Sequence, residues 1–168
     1  GRRGTGAAAD SETKRPAIGE RAPAGDAGMN ADALQSLLLE LFAAIQLVST
    51  YPQPAHVPQV HVLSRAAMQA KICSRPCPVR AFYHSEWGVH IDESLDVFND
   101  AFDRSILLHE LVHHLQRVSG KFETAPGDCY RRHAEELEAY EIQNRYLARQ
   151  GSTRRALTIG VAHMCANR

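Results

Sequence analysis

Between Asn30 and Val48 the apolar residues Leu34, Leu37, Leu38, Leu41, Ile45 and Val48 recur at helical spacing. That pattern predicts an amphipathic helix with Asn30 as its N-cap. The helix should stop near Thr50, ahead of Tyr51-Pro52-Gln53-Pro54, because a proline disfavours helical backbone in the residue before it. Val60–Leu63 reads as a short strand, and Ser64 can cap a short helix over Arg65–Ile72. A loop follows at Ser74–Pro78. Val79–His84 and Trp87–Asp92 are two β-prone runs joined by Ser85-Glu86. They predict a hairpin, although the turn has neither Asn-Gly nor Gly-X. Asp103–Ser119 predicts a long amphipathic helix stopped by Gly120, and Asp128 opens another that runs to about Arg149 and closes at Gly151. A last helix is expected after Ser152, through Leu157 and Val161 to His163. The order helix, strand, helix, hairpin, helix, helix, helix is an α+β layout, with a small sheet packed beside several helices.

Residues 1–28 break this periodicity. Their only aliphatic side chain larger than alanine is Ile18, too little apolar surface to offset the entropy of ordering. They are expected to be a disordered extension, and residues 29–168 a single domain. Met29 is a candidate natural start, and a leader removed upstream of Gly1 is compatible with the sequence. The most apolar stretch, Leu37–Val48, contains Glu40 and Gln46 and lacks a basic segment just before it. It therefore reads as a core helix rather than a signal peptide, and no run is long and apolar enough for a transmembrane helix.

Composition narrows the function by exclusion. Nineteen Lys and Arg balance nineteen Asp and Glu, so the chain lacks the basic excess of a general nucleic-acid binder or a polybasic membrane-surface protein. Of the four cysteines, Cys73 and Cys77 are four apart, Cys129 and Cys165 stand alone, and no CxxC pair occurs. A zinc ribbon or thioredoxin-like motif is therefore not expected. The even count permits two disulfides, which leans weakly toward a secreted or periplasmic protein; the alternative is buried thiols.

Nine histidines matter only where their spacing does. Ser105–Gln116 contains His109-Glu110-Leu111-Val112-His113, the HExxH zinc motif. Residues four apart sit one above the other on a helix, so both imidazoles can reach one ion. Glu110 then lies to the side of the metal, where it can hold and deprotonate a bound water. Leu108, Leu111, Val112 and Leu115 form an adjoining core stripe, the rigid support a ligand pair needs. His114 lies about 100° round the helix from His113 and is not expected to be a ligand. His56, His61, His84 and His163 show no informative spacing, and His90 reads as an ordinary strand residue.

A catalytic zinc takes three protein ligands and keeps one position open. The extended motif HExxHxxGxxH does not apply, because Gln116 and Ser119 stand where it needs Gly and His. An acidic ligand from the next helix is the alternative, and His133–Gln143 holds Glu135, Glu136, Glu138 and Glu141. The pair HELVH and, in that later segment, ELEAY resembles the gluzincin metallopeptidases. The likeness spans about residues 60–150 and is greatest to the small single-domain minigluzincins and related uncharacterised bacterial metallopeptidases.

The zinc-binding Glu of such families typically precedes Ala, which places the third ligand at Glu138, before Ala139. Glu135, three residues earlier on nearly the same face, is its rival. With Glu138 facing the metal, Glu136 and Glu141 would point elsewhere. The Asp or Asn that many members carry shortly after the ligand is replaced here by Tyr140 and Ile142. The resemblance implies a zincin-like fold with the metal between two helices. It also implies a cleft bordered by an edge strand that fits Trp87–Asp92, where an extended peptide could add as a strand. His133 or Tyr140 could reach that cleft to stabilise an oxyanion.

The implied activity is zinc-dependent hydrolysis of peptide bonds, with His109, His113 and Glu138 holding one Zn2+, Glu110 as general base, and a peptide or protein as substrate. Two other readings stay open: a zincin-fold binding, sensor or structural zinc module without peptidase activity, and a disulfide-stapled secreted protein in which HExxH is incidental.

Overall fold

The computed structural model describes residues 30–73 and 77–158, together with Gly1. The expected extension at residues 1–28 therefore lies, apart from Gly1, outside the described residues. Four helices and three strands follow in the order α1 (Ala31–Gln46), β1 (Val60–Leu63), α2 (Arg65–Ile72), β2 (Ala81–His84), β3 (Gly88–Asp92), α3 (Ala101–Ser119) and α4 (Asp128–Arg149). The fold is α+β.

The helix ends follow local chemistry. The Asn30 side chain accepts from the Asp32 N–H, and Ser64 caps α2 through the Ala67 N–H. Helix α3 begins at Ala101, two residues before the expected Asp103, because Asp100 caps it by accepting from the N–H groups of Phe102 and Asp103. Gly120 ends it in the left-handed conformation. Helix α1 stops at Gln46 rather than near Thr50, because the Val48 N–H and the Ser49 hydroxyl turn back onto the Ile45 carbonyl. Gly127 precedes α4 without a side-chain cap, so Asp128 is its first residue rather than its cap.

The sheet order is β1-β3-β2. Strand β2 pairs antiparallel with β3, Ala81 opposite Ile91 and Tyr83 opposite Val89, and β1 pairs parallel with β3, Val60 opposite Val89. The expected hairpin is present, but Trp87–Asp92 is not the edge that borders the cleft. Strand β1 occupies the far side of β3, using α2 within the crossover that a parallel pair requires. The edge facing the site is therefore β2.

The core joins Leu41, Phe42 and Ile45 of α1, Val89 and Ile91 of β3, Leu107, Leu108, Leu111 and Val112 of α3, and Ala139, Ile142 and Leu147 of α4. Helix α3 is covered nearly all round: Ser105, His109, Glu110, His114 and Gln116 are buried as well as its leucines. A helix in that position has little solvated face, so its polar residues must find partners inside the protein.

Residues 152–158 form no helix, contrary to expectation. The Asn144 side chain takes both backbone groups of Ala156: Oδ1 accepts from its N–H at 2.8 Å and Nδ2 donates to its carbonyl at 3.1 Å. Those groups are unavailable to a helical ladder. The rest of that expected helix, Val161 and His163 included, lies outside the described residues. Cys73, at the end of α2, forms a disulfide with Cys77, and Cys129 is disulfide-bonded too; Cys165 lies outside the described residues.

Gly88 is the tightest point of the hairpin. Its φ is +75°, and a Cβ there would lie 2.4 Å from the Gln59 carbonyl oxygen, the atom that accepts from the Val89 N–H to align β1. Gly88→Ala should cost more than about 2 kcal/mol, from backbone strain together with displacement of Gln59. Urea denaturation should show this loss as a lower midpoint.

Candidate metal centre

Helices α3 and α4 pack against each other, with Ala139 fully buried at their contact. This places three side chains together: His109 and His113 from α3 and Glu136 from α4, their ligand atoms all within 4.8 Å of one another. Among the described residues no other group of His, Cys, Asp or Glu does so. The two Nε2 atoms are 3.1 Å apart. One oxygen of Glu136 lies 3.3 Å from His109 Nε2 and the other 3.4 Å from His113 Nε2.

The far side of each ring is fixed by an amide whose orientation follows from its other partners. The Ser105 hydroxyl donates to the Phe102 carbonyl at 2.7 Å, so its oxygen accepts from Gln143 Nε2 at 2.9 Å. That leaves Gln143 Oε1 facing His109 Nδ1, 3.1 Å away. Likewise, Gln116 Nε2 donates to the Glu135 carbonyl at 2.8 Å and to Glu138 at 3.1 Å. Its Oε1 therefore faces His113 Nδ1 at 2.8 Å. Both Nδ1 atoms must carry hydrogen, so each ring, when neutral, has its lone pair on the Nε2 that faces Glu136. Such partners fix the tautomer and orientation of metal-binding histidines.

Glu138, the residue the resemblance assigned as third ligand, is held elsewhere. It accepts from the Tyr51 hydroxyl at 2.5 Å, from Gln116 and from Lys121. Glu135 contributes its backbone carbonyl to Gln116, and its carboxylate lies near Arg131. The carboxylate that meets the imidazoles is Glu136, which a Glu138 facing the metal would turn away. A signal for it does exist in α4. Ala139, Ile142, Gln143, Tyr146 and Leu147 form the buried stripe, and stepping back three from Ala139, or seven from Gln143, arrives at Glu136.

Glu110 is buried, and its carboxylate accepts from the Tyr83 N–H of β2. Burial raises its pKa against the opposing pull of His109 and His113. Burial would also discharge His113, but hydrogen bonding to Glu136 and the charges of Glu110 and Glu136 outweigh it and raise its pKa to about 9. Glu136 answers in the other sense: burial would raise its pKa, yet the bonds from His109 and His113 hold it well below the usual carboxylate range. Without a metal, then, His113 and Glu136 form a proton-bridged ion pair.

The remaining candidates separate cleanly. The Tyr140 ring lies 4.5 Å from that of His109, and burial raises its pKa. His133 lines neither cavity at the cluster. His114 turns away to the His56 carbonyl, 3.1 Å from Nε2, and to Tyr83. His90 is buried in the sheet, stacked on Phe82 and close to His61. Two cavities, of about 840 and 470 Å³, meet at the cluster and share Val79, Ala81, Glu110 and Glu136. They form one cleft between β2 and α4.

Gln143→Leu would leave the Nδ1–H of His109 buried without an acceptor. The expected loss is about 1–3 kcal/mol, read as a lower denaturation midpoint at unchanged cooperativity in metal-free protein. Unaltered stability would contradict the assigned amide orientation.

No helix of the described residues is long and apolar enough to cross a membrane. No curated protein and no solved structure matches the chain. A family model does match, over residues 30–168, and the chain belongs to that family, described as Domain of unknown function (DUF6647).

Proposed function

We propose that this chain is a zinc-dependent hydrolase, a peptidase of the gluzincin type. His109, His113 and Glu136 would hold the ion, and Glu110 would move the proton. The observation that carries this reading is the pair of amides, Gln116 and Gln143, that hold both rings at Nδ1 with both Nε2 atoms facing one carboxylate. A helix that needed two buried histidines only for packing would not need both tautomers fixed in that sense. Two imidazoles and a carboxylate suit zinc. Three protein donors beside an open cleft leave a position free, whereas a structural site would close it with a fourth.

When bound, the ion would polarise a substrate carbonyl and lower the pKa of a water. The protein's own residues account for the rest. Glu110, buried and held by the β2 backbone, accepts a proton from the attacking water. It then passes that proton to the leaving amine, a task suited to a carboxyl group whose pKa is raised by burial. Tyr140 lines the same cleft and stays a neutral phenol, a donor for the oxygen that becomes negative. The edge of β2 along the cleft offers the backbone surface on which an extended peptide can lie.

Metal analysis of the purified protein tests this directly, with one equivalent of zinc expected. His113→Ala and Glu136→Gln should each lower zinc affinity by at least about tenfold, and Glu138→Gln should retain zinc. Loss of metal in Glu138→Gln with retention in Glu136→Gln would return the third ligand to Glu138. Glu110→Gln should keep zinc and lose hydrolysis of a peptide mixture; full activity in that variant would exclude Glu110 as the base.

The pH dependence has a definite sign. In metal-free protein His113 keeps its proton up to about pH 9, and metal needs the neutral ring. Binding at pH 7 must therefore release about one proton, and affinity should fall about tenfold per pH unit below 9. Calorimetry in buffers of different ionisation enthalpy measures this release. An affinity that is flat from pH 6 to 8 would contradict the His113–Glu136 pair as ligands.

A further inference from the structure

The two halves of the cleft differ in chemistry. The larger lobe, on the His113 side, is lined by Arg117, Arg131, Arg132, Glu123 and Glu135. The smaller, on the His109 side, is walled by Val79, Phe102, Ile106, Ala156 and Leu157, with Tyr140 at its inner end. Its one cation, Arg80, is tied to Asp103 at 3.1 Å. Apart from the metal-site carboxylates, this lobe thus presents no free charge.

Its outer wall is the segment 152–158. That segment has no regular secondary structure of its own, yet it is fixed at three points. The Ser152 N–H donates to the Leu147 carbonyl at 3.0 Å. Asn144 grips both backbone groups of Ala156. Arg154 lies 3.9 Å over the Phe102 ring and pairs with Asp100 at 3.4 Å. This strap presents Leu157, 70% exposed, at the rim of a lobe whose other end is the reacting centre. An exposed leucine alone means little. One held by side-chain clamps at the mouth of an apolar lobe supplies surface for a ligand to cover.

We propose that the small lobe is the specificity pocket, and that it accepts a large apolar side chain, aliphatic or aromatic, adjacent to the bond that is cut. Leu157 and Ile106 set that preference, and Asn144 acts as a positioning residue through the strap. A volume of about 470 Å³ holds such a side chain with its backbone. A carboxylate there would meet Glu110 and Glu136, and a basic side chain would lose its hydration among Phe102, Ile106 and Leu157. The proposal rests on the zinc-hydrolase reading and names its substrate class.

The test uses zinc-loaded full chain and four probes: the hydroxamates of leucine, phenylalanine, aspartate and lysine, which bind an open zinc through the same chelating head. The leucine and phenylalanine compounds should bind about tenfold more tightly than the other two, the range a side-chain pocket provides. Leu157→Asp and Asn144→Ala, neither at a metal ligand, should erase most of that difference with zinc content unchanged. In a digested peptide mixture, mass spectrometry should find apolar residues enriched at one position beside the cut in the natural chain only. Equal affinity for all four hydroxamates, or a preference that survives both substitutions, overturns the pocket and leaves the metal site standing. Zinc retained with no hydroxamate bound overturns the open-site reading, and the pocket with it.

Discussion

Everything in this fold answers to one constraint: two imidazole nitrogens 3.1 Å apart and a carboxylate in contact with both, set between buried helices. Polar groups so crowded are costly to remove from water unless each finds a partner. The metal-free protein meets the cost with a proton between His113 and Glu136, and a cation would meet it more completely by engaging all three donors at once. Neither solution works unless the rings are held from behind. The chain therefore places glutamines at buried positions: Gln116 and Gln143 are each only 3% exposed.

Helix α3 was legible in the sequence to within two residues, because periodicity, HExxH and terminal glycine all point the same way, while its cap at Asp100 was not read. The hairpin and α1 were legible for similar reasons. The carboxylate that meets the two imidazoles was not. Glu136 and Glu138 are about 200° apart on a helix, and choosing between them requires the rotation of α4 about its axis. The resemblance suggested that rotation through the Glu-Ala pair, and the buried stripe from Ala139 to Leu147 sets it differently. Counting Gln143 as an interior residue would have supplied the phase. A glutamine reads as solvent-facing unless its partner Ser105, 38 positions away, is already known to be adjacent. The central place of β3 was hidden likewise: a four-residue strand such as β1 carries no signal of which neighbour it will choose.

Glu138 has a structural role of its own. It draws Tyr51 from the loop after α1, Lys121 from the loop after α3, and Gln116 of α3 onto one carboxylate. With Tyr51 bonded to it, the carboxylate is joined to the segment through which α1 leaves the core. Its negative charge also explains why the Gln116 amide nitrogen faces α4 and its oxygen faces His113. The two acidic residues of Glu136-Leu137-Glu138 thus serve one site from opposite sides: one meets the imidazoles at Nε2, the other orients the group that holds Nδ1.

This arrangement links the site to the stability of the whole domain. A set of hydrogen bonds runs from Ser105 through Gln143 to His109 and, beyond the paired Nε2 atoms, from His113 through Gln116 to Glu138, Tyr51 and Lys121. It ties α3 to α4 and to the exit of α1, through the same contacts that close the core. A ligand that binds the cluster must then stabilise the packing of both helices, since the donor atoms coincide only when α4 has the right rotation. Conversely, packing at Ala139 that shifted α4 would remove Glu136 from His109 and His113 before it exposed any leucine. The site is in this sense the most demanding test of the fold: the apolar core tolerates small displacements, and three donor atoms that must converge on one point do not.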